Sequence, residues 1–255
     1  MTIESGTSED GILDGALRIR QPLRGHRVGH DAILLAAATQ ARPGDRAVEL
    51  GAGVGAAGLA LAARTPGMQL TMIEIDPGLC ELAEANAKLN SLDARVIVRC
   101  ADVEDIAALE SAGVLSESFD RVLMNPPFLE SQRHQPSPDQ RRRLAYLGAP
   151  GLLSRWIDSA VFLLKPGGVL TMIWRADSVD DVHEVLRLAM GGIAVQRAHP
   201  RPGAPPIRVL IRATKGEAGG QWEYPPLFLT DELGRPSPTA EAILRGREIL
   251  EIAKA

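Results

Sequence analysis

The sequence predicts an α/β fold built on a doubly wound, mostly parallel sheet, and three observations carry that expectation. Apolar runs of strand length alternate with helical patterns along most of the 255 residues, as they do in successive βαβ units. The first such strand, Ala47-Val48-Glu49-Leu50, runs into a glycine loop, Gly51-Ala52-Gly53-Val54-Gly55. An alanine- and leucine-rich helix follows that loop to about Arg64.

The other elements can be read in order. Thr2 to Gly11 is polar and acidic and lacks the apolar core of a signal peptide. Residues 1–16 therefore read as a disordered or loosely held extension ahead of a single domain over 17–255. Ala32–Thr39 reads as a helix, with Asp31 at its start as an N-cap or as a functional carboxylate. Gln69–Ile75 is a second strand. Asp76-Pro77 has the look of an N-cap followed by proline at the first helical position, and the helix runs to Asn90. Arg95–Cys100 is a third strand and Phe119–Met124 a fourth. Leu152–Leu164 is a helix stopped by Lys165-Pro166-Gly167-Gly168. Val169–Trp174 is the fifth strand, and a helix from Val179 to Ala189 has Ser178 as its cap. Ile193–Ala198 and Ile207–Ala213 complete a seven-stranded sheet, with Pro200–Pro206 as the turn between them. Trp156 and Trp174 read as packing residues.

Composition narrows the function classes. No run of eighteen apolar residues exists, so no membrane span is expected and the chain reads as cytoplasmic. Cys80 and Cys100 lie in no CxxC or Cys/His cluster, which argues for reduced thiols and against a zinc site or any other metal. A net charge of −4 disfavours a nonspecific nucleic-acid coat. Local charge differs: Arg18, Arg20, Arg24, His26 and Arg27 precede the first helix, and Arg133, His134, Arg141, Arg142 and Arg143 follow Phe128. Either group could meet phosphates or be an ordinary solvated surface. His134 is read as a surface residue.

The glycine loop is the phosphate- or cofactor-facing turn of a Rossmann-like fold, where glycines let a ligand approach the backbone and the next helix offers unpaired N–H groups. A plain tight turn would look similar. Its spacing is G-x-G-x-G, whereas a dinucleotide site prefers G-x-G-x-x-G. Glu49, two positions before Gly51, suits a cationic ligand such as S-adenosylmethionine, with its sulfonium and ammonium. Glu74, about twenty positions beyond the loop, is the favoured ribose acid, ahead of Asp76. Asp102, at the end of the third strand, could accept from the adenine amine or serve as a loop or capping aspartate. Gly51, Gly53, Gly55, Glu49, Glu74, Asp102 and Asn125 form the expected cofactor set.

Asn125-Pro126-Pro127-Phe128 follows the fourth strand. Two prolines fix φ and remove two donors, so the turn is stiff and its carbonyls are free to accept. The Asn125 side chain adds an amide oxygen and an NH2. With the Pro126 carbonyl it could hold an exocyclic amine while Phe128 packs on a planar ring. A proline-stiffened loop with no chemistry is the other reading.

Together, Glu49 to Gly55, Ile73-Glu74-Ile75-Asp76, Asp102 and Asn125 to Phe128 resemble the class I S-adenosylmethionine-dependent methyltransferases that methylate amines. Gln21-Pro22 and Gly25 to Ala36, with Pro206 to Gly216 and Pro225-Pro226-Leu227, resemble the bacterial tRNA1(Val) (adenine-N6)-methyltransferases. The likeness runs from about Leu17 to about Arg245. It implies an antiparallel final strand, methyl transfer to the N6 amine of an adenine beside the anticodon, S-adenosylhomocysteine as product, and tRNA as partner. Asn125, Pro126 and Phe128 become the catalytic group. Pro127, Arg133, Arg141, Arg142 and Arg143 become substrate contacts. His30 stands where the family usually has threonine or serine, and the long basic stretch from Leu129 to Pro150 has no clear counterpart. The same motifs fit an rRNA guanine-N2 or protein-glutamine methyltransferase; an inactive cofactor-binding RNA module is the rival from another class, and the intact Asn125 and glycines argue against it. The sequence does not indicate an oligomeric state.

Overall fold

The computed structural model describes residues 6–24, 27–127 and 151–254. Its centre is an eight-stranded sheet. The strands are β3 (Arg46–Leu50), β4 (Gln69–Glu74), β5 (Val96–Cys100), β6 (Phe119–Met124), β7 (Leu164–Arg175), β8 (Met190–His199), β9 (Arg208–Lys215) and β10 (Gln221–Phe228). Their order is β10-β8-β9-β7-β6-β3-β4-β5. Only β9 runs antiparallel, wedged between β7 and β8. The chain steps outward from β3 through β4 to β5, then returns to the other side of β3 for β6 and β7. This reversal opens a crevice at the carboxyl ends of β3 and β6, where open α/β sheets bind ligands.

Both faces of the sheet are covered, so its inner strands are apolar almost throughout rather than alternating. One core lies under α1 (His30–Ala38), α2 (Ala56–Arg64) and α3 (Pro77–Leu89), with Leu34, Leu59, Leu70 and Met72 at its centre. The other lies under α4 (Ile106–Ser111), α5 (Leu152–Leu163) and α6 (Val179–Leu186), around Val48, Leu109, Leu163 and Val182. A short helix, α7 (Pro238–Leu244), closes the first face through Ala240 and Ile243. Local chemistry sets several helix starts. Asp76 accepts from the Gly78 and Leu79 amides with Pro77 in the first turn, as its sequence implied. Asp105 caps α4 and Ser237 caps α7 in the same way.

The structure departs from the sequence expectation in five places. The sheet has eight strands rather than seven. The extra one, β10, carries Pro225 and Pro226, which mask a strand pattern; it is an edge strand, and its register with β8 shifts at these residues. The described part of the N-terminal extension is not loose: β1 (Thr7–Ile12) and β2 (Leu17–Pro22) form an antiparallel hairpin. The chain enters β7 directly at Leu164, and Lys165 to Gly168 form an irregularity against β6 instead of a loop. Ser178 makes no side-chain cap for α6; its hydroxyl bonds Asp177. Helix α1 begins at His30, so Asp31 lies inside its first turn rather than capping it, and its carboxylate pairs with Arg208 at 2.8 Å.

Two asparagines on α3 dock the hairpin. Asn86 is fully buried; its Oδ1 accepts from the Arg20 amide at 2.7 Å while Nδ2 donates to the Arg20 and Val54 carbonyls. Asn90 repeats the exchange with Arg18, so the two amides extend the β2 ladder onto the helix. Leu17 and Ile19 bury their side chains in the core, while Arg18 and Arg20 point outward to Glu9. Arg27 pairs with Asp10. The arginines before α1 are therefore largely matched by the acids of β1. Asn86→Ala strands the buried Val54 carbonyl and the part-buried amide and carbonyl of Arg20, and a buried polar group left unsatisfied costs about 1–3 kcal/mol. We expect urea denaturation to show a loss of about 2 kcal/mol or more; a loss under about 0.5 kcal/mol would contradict this role.

Candidate functional site

The parallel register brings four strand ends to one edge. Leu50 lies beside Ile73 and Met124, and Glu74 beside Cys100. The glycine loop after β3, Glu74 at the end of β4, Asp102 after β5 and Asn125 after β6 thus sit along one crevice.

Glu74 organises this edge. Its Oε2 accepts from the Gly53 amide at 2.8 Å, and Oε1 accepts from the Ile75 and Asp76 amides at 2.9 and 3.0 Å. A carboxylate offers about four lone-pair sites, so this one holds the loop and the strand end together and keeps capacity for a ligand hydroxyl. Asp102 accepts from the Glu104 amide at 2.8 Å, which is the turn-forming role left open above.

The loop's glycines have different reasons. A Cβ on Gly51 would come within 2.4 Å of Trp156, so the bulk of α5 demands glycine there. At Gly53, φ is +57° and nothing lies within 4 Å of a Cβ, so this side of the loop faces open space. Gly55 is the N-cap of α2. Trp156 is held by Glu104, which also pairs with Arg155. This clamp between the β5–α4 loop and α5 was not visible in the sequence, because no local spacing links residues so far apart.

Glu49 is buried, and its Oε2 accepts from the Gly58 amide at 2.8 Å, in the first turn of α2. Its carboxylate therefore secures the helix that follows the loop. Burial pushes its pKa from 4.5 up to about 8; the Gly58 hydrogen bond opposes the rise and the Glu74 charge adds to it. Between these values the folded chain keeps a proton that the unfolded chain has released, so this residue makes stability fall as pH rises through that window. Glu49→Gln keeps an acceptor for Gly58 and removes the titration. The melting temperature of the variant relative to the parent should therefore climb between about pH 5 and about pH 9. A difference that stays flat across this range would contradict a raised Glu49.

Asn125 sits at the end of β6, half-buried, with Pro126 buried and Pro127 exposed beside it. Its Oδ1 is sealed from solvent and has no hydrogen-bond partner among the described residues. A buried acceptor without a donor costs about 1–3 kcal/mol, a cost removed when a ligand donates to it. Phe128, Arg133, His134, Arg141, Arg142 and Arg143 lie outside the described residues, as does His26. Trp174 and Trp156 are core residues of the α4–α6 face, as expected. Among the described residues no cluster of three metal-ligating side chains occurs, and no helix is long and apolar enough to cross a membrane.

A family model for the methyltransferase small domain matches residues 26–199. A tRNA1(Val) (adenine(37)-N6)-methyltransferase of Porphyromonas gingivalis is 34% identical over 160 residues, 61% of this chain and 61% of that protein. The chain thus spans about three-fifths of that relative's length. A release factor glutamine methyltransferase of Bifidobacterium longum is 34% identical over 137 residues, 49% of this chain and 46% of its own. A crystal structure from Agrobacterium tumefaciens, described as a predicted O-methyltransferase, superposes with a TM-score of 0.73 at 31% identity. That match covers 86% of this chain and 98% of the other.

Proposed function

The chain belongs to the methyltransferase small domain family, and we propose that it transfers a methyl group from S-adenosylmethionine to the exocyclic N6 amine of an adenine in RNA, in the anticodon loop of a valine-type tRNA. The observation that carries this reading is the buried Oδ1 of Asn125, without a partner among the described residues and beside a glycine loop. An acceptor so placed suits a donor brought by a substrate, and an amine hydrogen is such a donor.

The residues fit the cofactor. Gly53 presents an open backbone face, Glu74 keeps acceptor capacity for ribose hydroxyls, and Asp102 stands at the next strand end for the adenine amine. Glu49 acts here through α2 and as a nearby acid. When bound, S-adenosylmethionine supplies a methyl group activated by its sulfonium.

The chain's own part is positioning. Asn125 Oδ1 and the Pro126 carbonyl accept the two amine hydrogens, and Phe128 supplies a stacking face for the base. Two acceptors on one amine turn its nitrogen lone pair toward the methyl donor and favour positive charge as it develops there. The prolines hold these acceptors in place in advance, so no reorganisation is needed at the moment of transfer. Arg133, Arg141, Arg142 and Arg143, with Pro127, contact the RNA beyond the base. A single-stranded loop lets the adenine leave its stack at low cost.

The glutamine-methylating relative supports a second reading, because a side-chain amide presents the same NH2 to the same acceptors. Transfer of labelled methyl groups to tRNA separates the two. Asn125→Ala should bind S-adenosylmethionine as the parent does while turnover falls by about a hundredfold or more. Equal turnover in that variant would sink the assignment.

A further inference from the structure

Cys80 and Cys100 are far apart in sequence but flank one short turn. Cys100 ends β5 in register with Glu74, and Cys80 lies in the first turns of α3. The Cys80 thiol donates to the Glu74 carbonyl at 3.3 Å and the Cys100 thiol to the Ile75 carbonyl at 3.7 Å. The sulfurs thus sit on the carbonyls of consecutive residues. Cys80 is buried and Cys100 exposed, so one thiol meets solvent and the other stands behind it.

We propose that Cys80 and Cys100 form a dithiol site at which an organic disulfide drives an intramolecular disulfide, and that this bond weakens cofactor binding by displacing the turn that carries Glu74. The coupling to the cofactor rests on the methyltransferase reading given above. The exposed Cys100 thiolate attacks the organic disulfide, forming a mixed disulfide and releasing one thiol. Cys80 loses its proton to solvent and attacks Cys100 Sγ, expelling the second thiol. Two protein thiols are oxidised and one organic disulfide is reduced to two thiols, so electrons balance. Burial, then the neighbouring Cys100, pushes the Cys80 thiol up to about 12. The closing step is therefore slow near neutrality and quickens as pH rises, because the thiolate is the nucleophile.

A disulfide needs its sulfurs about 2.05 Å apart. Closing to that length draws both thiols off the Glu74 and Ile75 carbonyls and pulls the end of β5 toward α3. The segment between them is Glu74-Ile75-Asp76, in which the Ile75 and Asp76 amides donate to the Glu74 carboxylate that accepts from the Gly53 amide.

The test uses the full chain with glutathione disulfide, read by intact mass, peptide mapping and S-adenosylmethionine titration. The expected product has lost two hydrogens, links the Cys80 and Cys100 peptides, and forms faster as pH rises. Its cofactor affinity falls roughly tenfold and returns with dithiothreitol. A Cys100→Ser chain keeps its affinity through the same treatment, and a Cys80→Ser chain stops at the glutathione adduct. Cys100 modified with no internal link at any pH would overturn the site. A complete link with unchanged affinity would overturn its coupling to Glu74. The link is scored by mass whatever the reduced chain binds, so a reduced chain that binds no S-adenosylmethionine counts against the methyltransferase reading and the coupling, not against the dithiol site.

Discussion

One carboxylate sets the geometry on which the rest of the crevice depends. Glu74 accepts three backbone N–H groups from two separate segments, the glycine loop and the turn after β4. Bonds to a charged acceptor are worth about 1.5–3 kcal/mol each, which is enough to hold a loop whose glycines would otherwise leave it loose. The loop in turn fixes the start of α2, where Glu49 meets Gly58, and the side against which Trp156 packs. Two acids thus bracket the loop, one at the sheet edge and one beneath the helix; burial raises the pKa of the second, and the charge of the first adds to the rise.

The second constraint is topological. Because the strand order reverses at β3, the loop after β3 and the Asn125 turn after β6 open onto the same crevice although they are far apart in sequence. Parallel pairing with a fixed register then sets their relative height along the edge. The chemistry proposed for Asn125 needs its oxygen buried and unsatisfied before substrate arrives, and among the described residues it is both.

The sheet's central strands and the residues at their ends were legible from the sequence because each depends on a local pattern. An apolar run gives a strand, and its end gives a position on the carboxyl edge. Asp76-Pro77 was legible for the same reason: capping is settled within four residues. What escaped was non-local. Asn86 looks like an ordinary helix residue until β2 is laid beside it, and Glu104 looks like loop until α5 arrives. β10 escaped because Pro225 and Pro226 deny the usual strand pattern and are tolerated only at an edge with an irregular register. Glu49 was read as a partner for a cation, and burial gives it a structural hydrogen bond that no spacing announces.

The central claim is methyl transfer to an adenine amine. Its most direct test is incubation of the purified chain with labelled S-adenosylmethionine and total tRNA from a strain lacking the protein, followed by nucleoside analysis. The account predicts label in N6-methyladenosine, confined to one tRNA. Label in no tRNA nucleoside, from a chain that still binds the cofactor, would contradict it and turn attention to rRNA or to a protein glutamine.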